Sequence, residues 1–150
     1  MSQETHILKT LAYYDIFDYP LQTDEVLRFR AVNLLAQTGE PVTLSAVQAA
    51  LQTLENRGNI GYRGGFYFLA GREHIVPLRL RRAEHSLKLW RRARRIAMIL
   101  RHVPFVRGVF VSGSLAMSNC DELSDIDLLI VARTNYIWLA RFLVLTILST

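Results

Sequence analysis

Apolar residues recur every three or four positions through the N-terminal third of the chain, which predicts amphipathic helices. The first helix covers about residues 5–14 and ends before the Asp-Tyr-Pro break at 18–20. A second helix begins at Thr23, whose hydroxyl suits an N-cap, and continues to about Gln37. A Gly-Glu-Pro stretch at 39–41 then interrupts the helical pattern.

A third helix and a hairpin are predicted next. The helix begins near Thr43 or Ser45, since Ser45 and Gln48 match a capping box. It ends at Gly58, because glycine favours the left-handed backbone conformation that stops a helix. Two short β-prone runs flank the glycine pair at 64–65, a pattern typical of a tight hairpin. Three helices followed by a hairpin is the order of elements in a winged helix.

The second half of the chain follows a pattern of helix, strand, loop, strand and helix. A long helix is predicted from Pro77 to about Arg101, and a strand over Val106–Val111. After a loop at 113–124 with one helical turn, a second strand covers Ile126–Val131. A nearly all-apolar helix begins at Tyr136. The predicted fold class is therefore α+β or α/β.

The two faces of the long helix are predicted from its periodicity. The residues expected to face a core are Leu80, Ala83, Leu87, Trp90, Ala93, Ala97 and Leu100. The arginines expected to lie mostly on the opposite, solvated face are Arg79, Arg81, Arg82, Arg91, Arg92 and Arg95.

The positive charge of the chain is concentrated in this helix and its flanks. The formal net charge is +5, yet residues 72–107 alone carry 11 Lys or Arg against 2 Asp or Glu. Such a segment either attracts a polyanion such as nucleic acid or is the solvated face of a helix. We therefore divide the chain into three parts. Residues 1–71 form a winged-helix-like module, residues 72–104 form a basic amphipathic connecting helix, and residues 105–150 form the first part of an α/β core.

Cysteine usage and hydropathy bear on the cellular compartment. The single cysteine, Cys120, excludes an internal disulfide framework and fits a reducing environment. The N-terminus has no basic region followed by an apolar core, so no signal peptide is predicted and a cytoplasmic location is expected. The apolar run at 135–150 is shorter than the roughly 20 residues of a membrane span and contains Arg141. It is expected to be a core helix, with no membrane partner.

Two aspartates one residue apart are the strongest candidate for chemistry. On a strand, Asp125 and Asp127 point to the same face, where their like charges repel unless a cation lies between them. A hard cation such as Mg²⁺ prefers carboxylate oxygens and commonly shares them with phosphate groups. Upstream, Gly113 allows a phosphate to approach the backbone closely, and Ser114 offers hydroxyl and N–H donors.

These residues resemble the motif of the polymerase-beta-like nucleotidyltransferase superfamily. The chain reads Val-Ser-Gly-Ser at 111–114, then ten residues, then Asp-Ile-Asp-Leu at 125–128. The resemblance covers roughly residues 80–150 and implies a core of long helix, strand, Gly-Ser loop, strand and apolar helix. It implies Asp125 and Asp127 as catalytic metal ligands for two Mg²⁺ ions, and Gly113 and Ser114 as the nucleotide-binding loop.

The implied reaction transfers a nucleoside monophosphate from a nucleoside triphosphate to an acceptor, with release of pyrophosphate. The acceptor stays open between a small molecule, an RNA and a protein. The N-terminal segment, with its Tyr-Tyr-Asp-Ile-Phe-Asp-Tyr-Pro-Leu stretch at 13–21, resembles an extension found on some bacterial proteins with nucleotidyltransferase domains.

One departure from the family pattern concerns a third carboxylate. Active members generally carry it on a later strand, whereas this sequence has no Asp or Glu after Asp127. The nucleotidyltransferase core is therefore expected to be incomplete, with that strand beyond residue 150, or else the protein is inactive.

The alternative is a winged-helix nucleic-acid-binding protein whose nucleotidyltransferase-like part is not catalytic. Nucleic acid would then bind through the basic segment at 72–107. The third predicted helix carries few cations, so a packing or protein-contact role is favoured for the N-terminal module.

Overall fold

The protein has a mixed α+β fold. A computed structural model describes residues 2–35 and 43–149, and within these residues it contains six helices and two small antiparallel sheets. The chain divides into two compact units, Met1–Leu80 (unit 1) and Arg81–Thr150 (unit 2). The boundary between them falls inside the longest helix.

Unit 1 begins with three helices followed by a β-hairpin, as the sequence pattern predicts. Its elements are α1 (Gln3–Asp15), α2 (Thr23–Leu35), α3 (Leu44–Asn56), β1 (Ile60–Arg63) and β2 (Phe66–Leu69). The predicted end of the second helix at Gln37 and the predicted break at 39–41 lie outside the described residues.

The N-terminal caps of α2 and α3 differ from those predicted. Helix α2 starts at Thr23 itself, and the carboxylate of Glu25 accepts a hydrogen bond of 2.9 Å from the backbone N–H of Gln22. Helix α3 is capped by Thr43, whose hydroxyl accepts from the N–H of Ala46 at 3.4 Å, so the capping box assigned to Ser45 is wrong. The physical reason is that the helix begins one residue before Ser45 and therefore includes it.

The end of α3 and the hairpin turn depend on glycines in the left-handed region. Gly58 has φ +71°, and its N–H donates to the carbonyl of Glu55 at 2.9 Å, while Asn59 donates to Leu54 at 3.0 Å. This pair of bonds satisfies carbonyls that the helix end would leave without partners. The hairpin turn at 64–65 has positive φ at both glycines, the conformation that a two-residue turn requires.

The core of unit 1 lies between the helices and one face of the hairpin. Its fully buried side chains are Ile7, Leu21, Val26, Val47, Leu51, Leu54 and Ile75. Leu21 also forms an isolated antiparallel bridge to Tyr67, so the segment after α1 pairs with the outer edge of β2. Leu44, at the start of α3, is 48 % exposed and does not belong to this core.

Two arginines hold the segment at 13–21 in place. Arg72 donates to Asp15 at 2.8 Å and to Asp18 at 2.7 Å. Arg79 donates to Glu25 at 2.8 Å, and its guanidinium carbon lies 3.3 Å from the centre of the Tyr19 ring.

Arg79 is buried, which contradicts its prediction as a solvated residue. Only 9 % of the residue is exposed. Burial lowers the pKa of Arg79 to about 10 and raises the pKa of Glu25, because a desolvated site disfavours both charged forms. The ion pair and the tyrosine ring offset part of the hydration that this cation loses, while its buried Nη1 has no hydrogen-bond partner among the described residues.

Unit 2 contains most of the longest helix and a two-stranded sheet. The helix α4 covers Ile75–Leu100. It is followed by β3 (Val106–Val111), the short helix α5 (Gly113–Ala116), β4 (Leu128–Ala132) and α6 (Ile137–Leu148). Strand β3 has the predicted bounds, whereas β4 begins two residues later than predicted. The two strands are antiparallel, with Val111 paired to Leu128 and Phe110 paired to Leu129.

One face of this sheet packs on helices. Val106, Val109, Leu128 and Ile130 contact a cluster of Leu100, Val103 and Val144. A second cluster joins Ala93 of α4 to Leu115 and Cys120. The periodicity predicts Leu80 and Leu87 as core positions, but both are more than half exposed. The buried face of α4 follows Ser86, Ala93 and Leu100, and it is therefore rotated relative to the predicted face.

The helices of the described residues are too short or too polar to span a bilayer, and this includes α6 with its apolar sequence.

The buried Arg79–Glu25 pair gives a first prediction. We expect Glu25→Gln to lower the free energy of unfolding by roughly 3 kcal/mol, because it leaves a desolvated guanidinium without its counterion. The double variant Glu25→Gln with Arg79→Met should lose less than the sum of the two single changes, since it removes both charges together. Urea denaturation of the four proteins measures this coupling.

The matched control is the exposed pair Arg57–Glu4, whose nitrogen and oxygen are 3.0 Å apart. Arg57→Gln should change stability by less than about 1 kcal/mol, because water screens that pair. Equal losses at the two pairs would contradict the structural role assigned to Arg79.

Candidate functional site

The Gly-Ser pair lies at the end of β3, where the chain turns into α5. Ser112 is extended, and its N–H donates to the carbonyl of Asp127 at 3.0 Å. Gly113 has φ +66°, a conformation that costs an L-amino acid about 1–2 kcal/mol. The ladder between the two strands therefore extends one step beyond β3 before the glycine redirects the chain.

Gly113 lies against the side chain of Asp127. A Cβ placed on Gly113 would collide with Oδ2 of Asp127 and lie 3.4 Å from its Cγ. A residue with a Cβ at this position would have a strained φ angle, and the exposed carboxylate of Asp127 would have to move. The predicted Gly-Ser loop and one of the two predicted aspartates are in direct contact.

Asp125 and Asp127 lie just before β4, in a segment without regular secondary structure. Both are exposed, whereas the neighbouring Ile126 and Leu128 are half-buried and pack against the two core clusters. The alternation places both carboxylates on the face of the chain that is not covered by helices. Leu129 and Phe110, which are paired across the strands, are also more than half exposed.

Polar contacts to α4 fix the segment that follows Gly113. The hydroxyl of Ser86, which is fully buried, accepts from the N–H of Cys120 at 3.1 Å and donates to the carbonyl of Arg82 at 2.7 Å. The Ser114 hydroxyl lies 3.5 Å from the Cys120 sulfur. Trp90 adds a bond of 3.3 Å from its indole N–H to Ser118.

The hydrophobic pattern of the sequence indicates neither the role of Ser86 nor the burial of Cys120. Cys120 is in fact fully buried in the cluster with Ala93 and Leu115. The sequence contains one signal for the role of Ser86. Residues 75–101 are apolar or charged except for His85 and Ser86. The partner of Ser86 lies 34 residues away, which periodicity does not reveal.

The remaining carboxylates of this region have other roles. Asp121 accepts from the Ser124 hydroxyl at 2.7 Å and from the Leu123 N–H at 3.1 Å. The bond from Ser124 lowers the pKa of Asp121, so this side chain is committed to closing its own turn. Glu122 is exposed on the same loop.

The donor set suits a hard cation. Asp125 and Asp127 offer exposed carboxylate oxygens, the ligands that Mg²⁺ prefers, and Gly113 has no Cβ that would displace the carboxylate of Asp127. Among the residues that the structure describes, no group of three or more His, Cys, Asp or Glu side chains is gathered at one point. The candidate site therefore contains two carboxylates among the described residues.

Comparison with models of known protein families, with curated proteins and with solved structures finds no match to this chain.

The contact between Gly113 and Asp127 gives a second prediction. Gly113→Ala should destabilise unit 2 by about 1–2 kcal/mol through its φ angle, and by a further amount because the carboxylate must move. In an Asp127→Ala background, only the destabilisation that comes from the left-handed φ angle should remain. Urea denaturation of the wild type, both single variants and the double variant measures the difference.

Gly64→Ala is the control, because Gly64 has φ +58° and nothing within 4 Å of an added Cβ. Its effect should be the same with and without Asp127. If Gly113→Ala costs as much in the absence of the carboxylate as in its presence, the contact does not constrain the loop.

Proposed function

We propose that unit 2 belongs to a nucleotidyltransferase-type domain that binds a magnesium–nucleoside triphosphate. The reaction proposed is transfer of the nucleoside monophosphate to an acceptor, with release of pyrophosphate. The contact of Gly113 with the carboxylate of Asp127 is the observation that carries the proposal. Two sequence elements that the resemblance assigns to one site, separated by about ten residues, lie side by side.

Each residue has a distinct part in this proposal. Asp125 and Asp127 would hold Mg²⁺, which when bound neutralises phosphate charge and stabilises the attacking and leaving oxygens. Gly113 and Ser114 would face the phosphates, where the absence of a side chain at residue 113 permits close approach of backbone N–H donors. The contacts of Ser86 and Trp90 with residues 118–120 keep this loop from moving away.

For residues 1–71 we propose a winged-helix-like arrangement. Three helices, a hairpin and the Leu21–Tyr67 bridge at the hairpin edge support it. The exposed residues within α3 include no Lys or Arg, and Arg57 at its end is paired with Glu4. This face therefore favours a packing or protein-contact role over contact with phosphates.

A cytoplasmic location is part of the same proposal. A nucleoside triphosphate and Mg²⁺ are abundant there, and the one cysteine is buried without a disulfide partner.

Calorimetric titration with Mg²⁺–ATP and the other three nucleoside triphosphates gives the third prediction. The wild type should bind at least one of them only when Mg²⁺ is present. Asp125→Asn combined with Asp127→Asn should weaken that binding at least about tenfold, because the amides remove the two charges that hold the cation.

The matched control is Glu84→Gln combined with Glu122→Gln, which removes the same charge at two exposed positions outside the site. It should bind as the wild type does. Binding that needs no metal, or that falls equally in both double variants, would remove the basis for the proposed function.

A further inference from the structure

A second surface of unit 2 carries a concentration of positive charge that the proposed function does not use. Between residues 88 and 95 of α4, every exposed residue is a cation: Lys88, Arg91, Arg92, Arg94 and Arg95. The other three residues of this stretch, Leu89, Trp90 and Ala93, pack inwards. We call these five cations the arginine surface.

The arginine surface has no counterion within the described chain. None of its five residues forms an ion pair with a described residue, and the sequence has no Asp or Glu from His85 to Cys120. Residues three or four apart on a helix are neighbours, so Arg91–Arg95 and Lys88–Arg92 are like-charge pairs. Each such pair destabilises the helix, and a bound polyanion would relieve the repulsion.

We propose that the arginine surface binds the phosphate backbone of duplex DNA. At a rise of about 1.5 Å per residue, the stretch is about 10 Å long. A duplex presents one phosphate charge per about 1.7 Å of its axis, hence about six charges over that length. Five cations on a rigid helix match this number of phosphate charges per unit length. A single strand presents about half as many charges over the same length.

The types of side chain on the arginine surface also favour duplex DNA over other polyanions as the ligand. Proteins that bind single strands usually stack bases on exposed aromatic rings. Trp90, the only aromatic residue of α4, is half-buried, and its indole N–H is bonded to Ser118. A helix that lies in a membrane interface presents a continuous apolar face, yet the exposed Leu87 and Met98 lie on either side of the cationic stretch and not within it.

The test is fluorescence anisotropy of a labelled 20-base-pair duplex of arbitrary sequence with the full chain, between 50 and 200 mM NaCl. About five phosphate contacts predict a slope of log K against log salt near −4.5. The variant Arg91→Gln, Arg92→Gln, Arg94→Gln and Arg95→Gln should bring that slope to about −1. The corresponding four Arg→Lys changes should keep it near the wild-type value, because lysine retains the charge.

The matched control neutralises four exposed arginines elsewhere: Arg63, Arg107, Arg133 and Arg141, each changed to Gln. It lowers the net charge by the same amount and should keep the steep slope. Thermal unfolding of all variants checks that the fold is retained, and the Arg→Lys variant decides the matter if the Gln variant does not fold.

Three results would overturn the proposal. One is an equal loss of binding in the control, which would mean general charge attraction. Another is tighter binding to the single strand of the same length. The third is binding to phosphatidylserine vesicles without binding to the duplex, which would identify a membrane surface. The metal-dependent nucleotide titration uses other residues, so either proposal can fail without the other.

Discussion

The contact between Gly113 and the carboxylate of Asp127 is the constraint on which the geometry of the candidate site depends. The hydrogen bond from Ser112 to the carbonyl of Asp127 sets the register at the end of the sheet. With that register, residue 113 must turn away in a left-handed conformation while the aspartate side chain lies in front of it. Glycine meets both conditions without a strained φ angle and without displacing the carboxylate, so residue 113 influences how closely the loop and the carboxylate approach.

Helix α4 provides the support for this constraint. Ser86 bonds the backbone of Cys120, and Ala93 packs against Leu115 and Cys120, so the chain returns to the same helix face after the turn at Gly113. A buried N–H without a partner costs about 1–3 kcal/mol, which makes the Ser86 hydroxyl a specific anchor. The loop is thus held at both ends, by the sheet before Gly113 and by α4 after it.

How much of this structure the sequence predicts depends on how local the signal is. The hairpin, the end of α3 at Gly58 and the bounds of β3 follow from glycine pairs and from short apolar runs. The burial of Arg79 does not, because its partners Tyr19 and Glu25 are distant in sequence and helical periodicity treats arginine as a solvated residue. The contact of Gly113 with Asp127 is likewise not predictable from the sequence alone. The motif spacing suggests that the two residues are close, but their contact becomes evident only when the register of the two strands is known.

The two surfaces of unit 2 would bind phosphate by opposite physical means. The carboxylates of Asp125 and Asp127 repel a phosphate unless a divalent cation lies between them, so the proposed nucleotide binding would require magnesium. At the arginine surface the guanidinium groups would contact phosphate directly, and magnesium would compete with them as a counterion. The same ion is therefore expected to strengthen binding at one surface and weaken it at the other. The two surfaces lie on different parts of unit 2, because α4 directs Ser86 and Ala93 towards the loop and the five exposed cations of the arginine surface away from it.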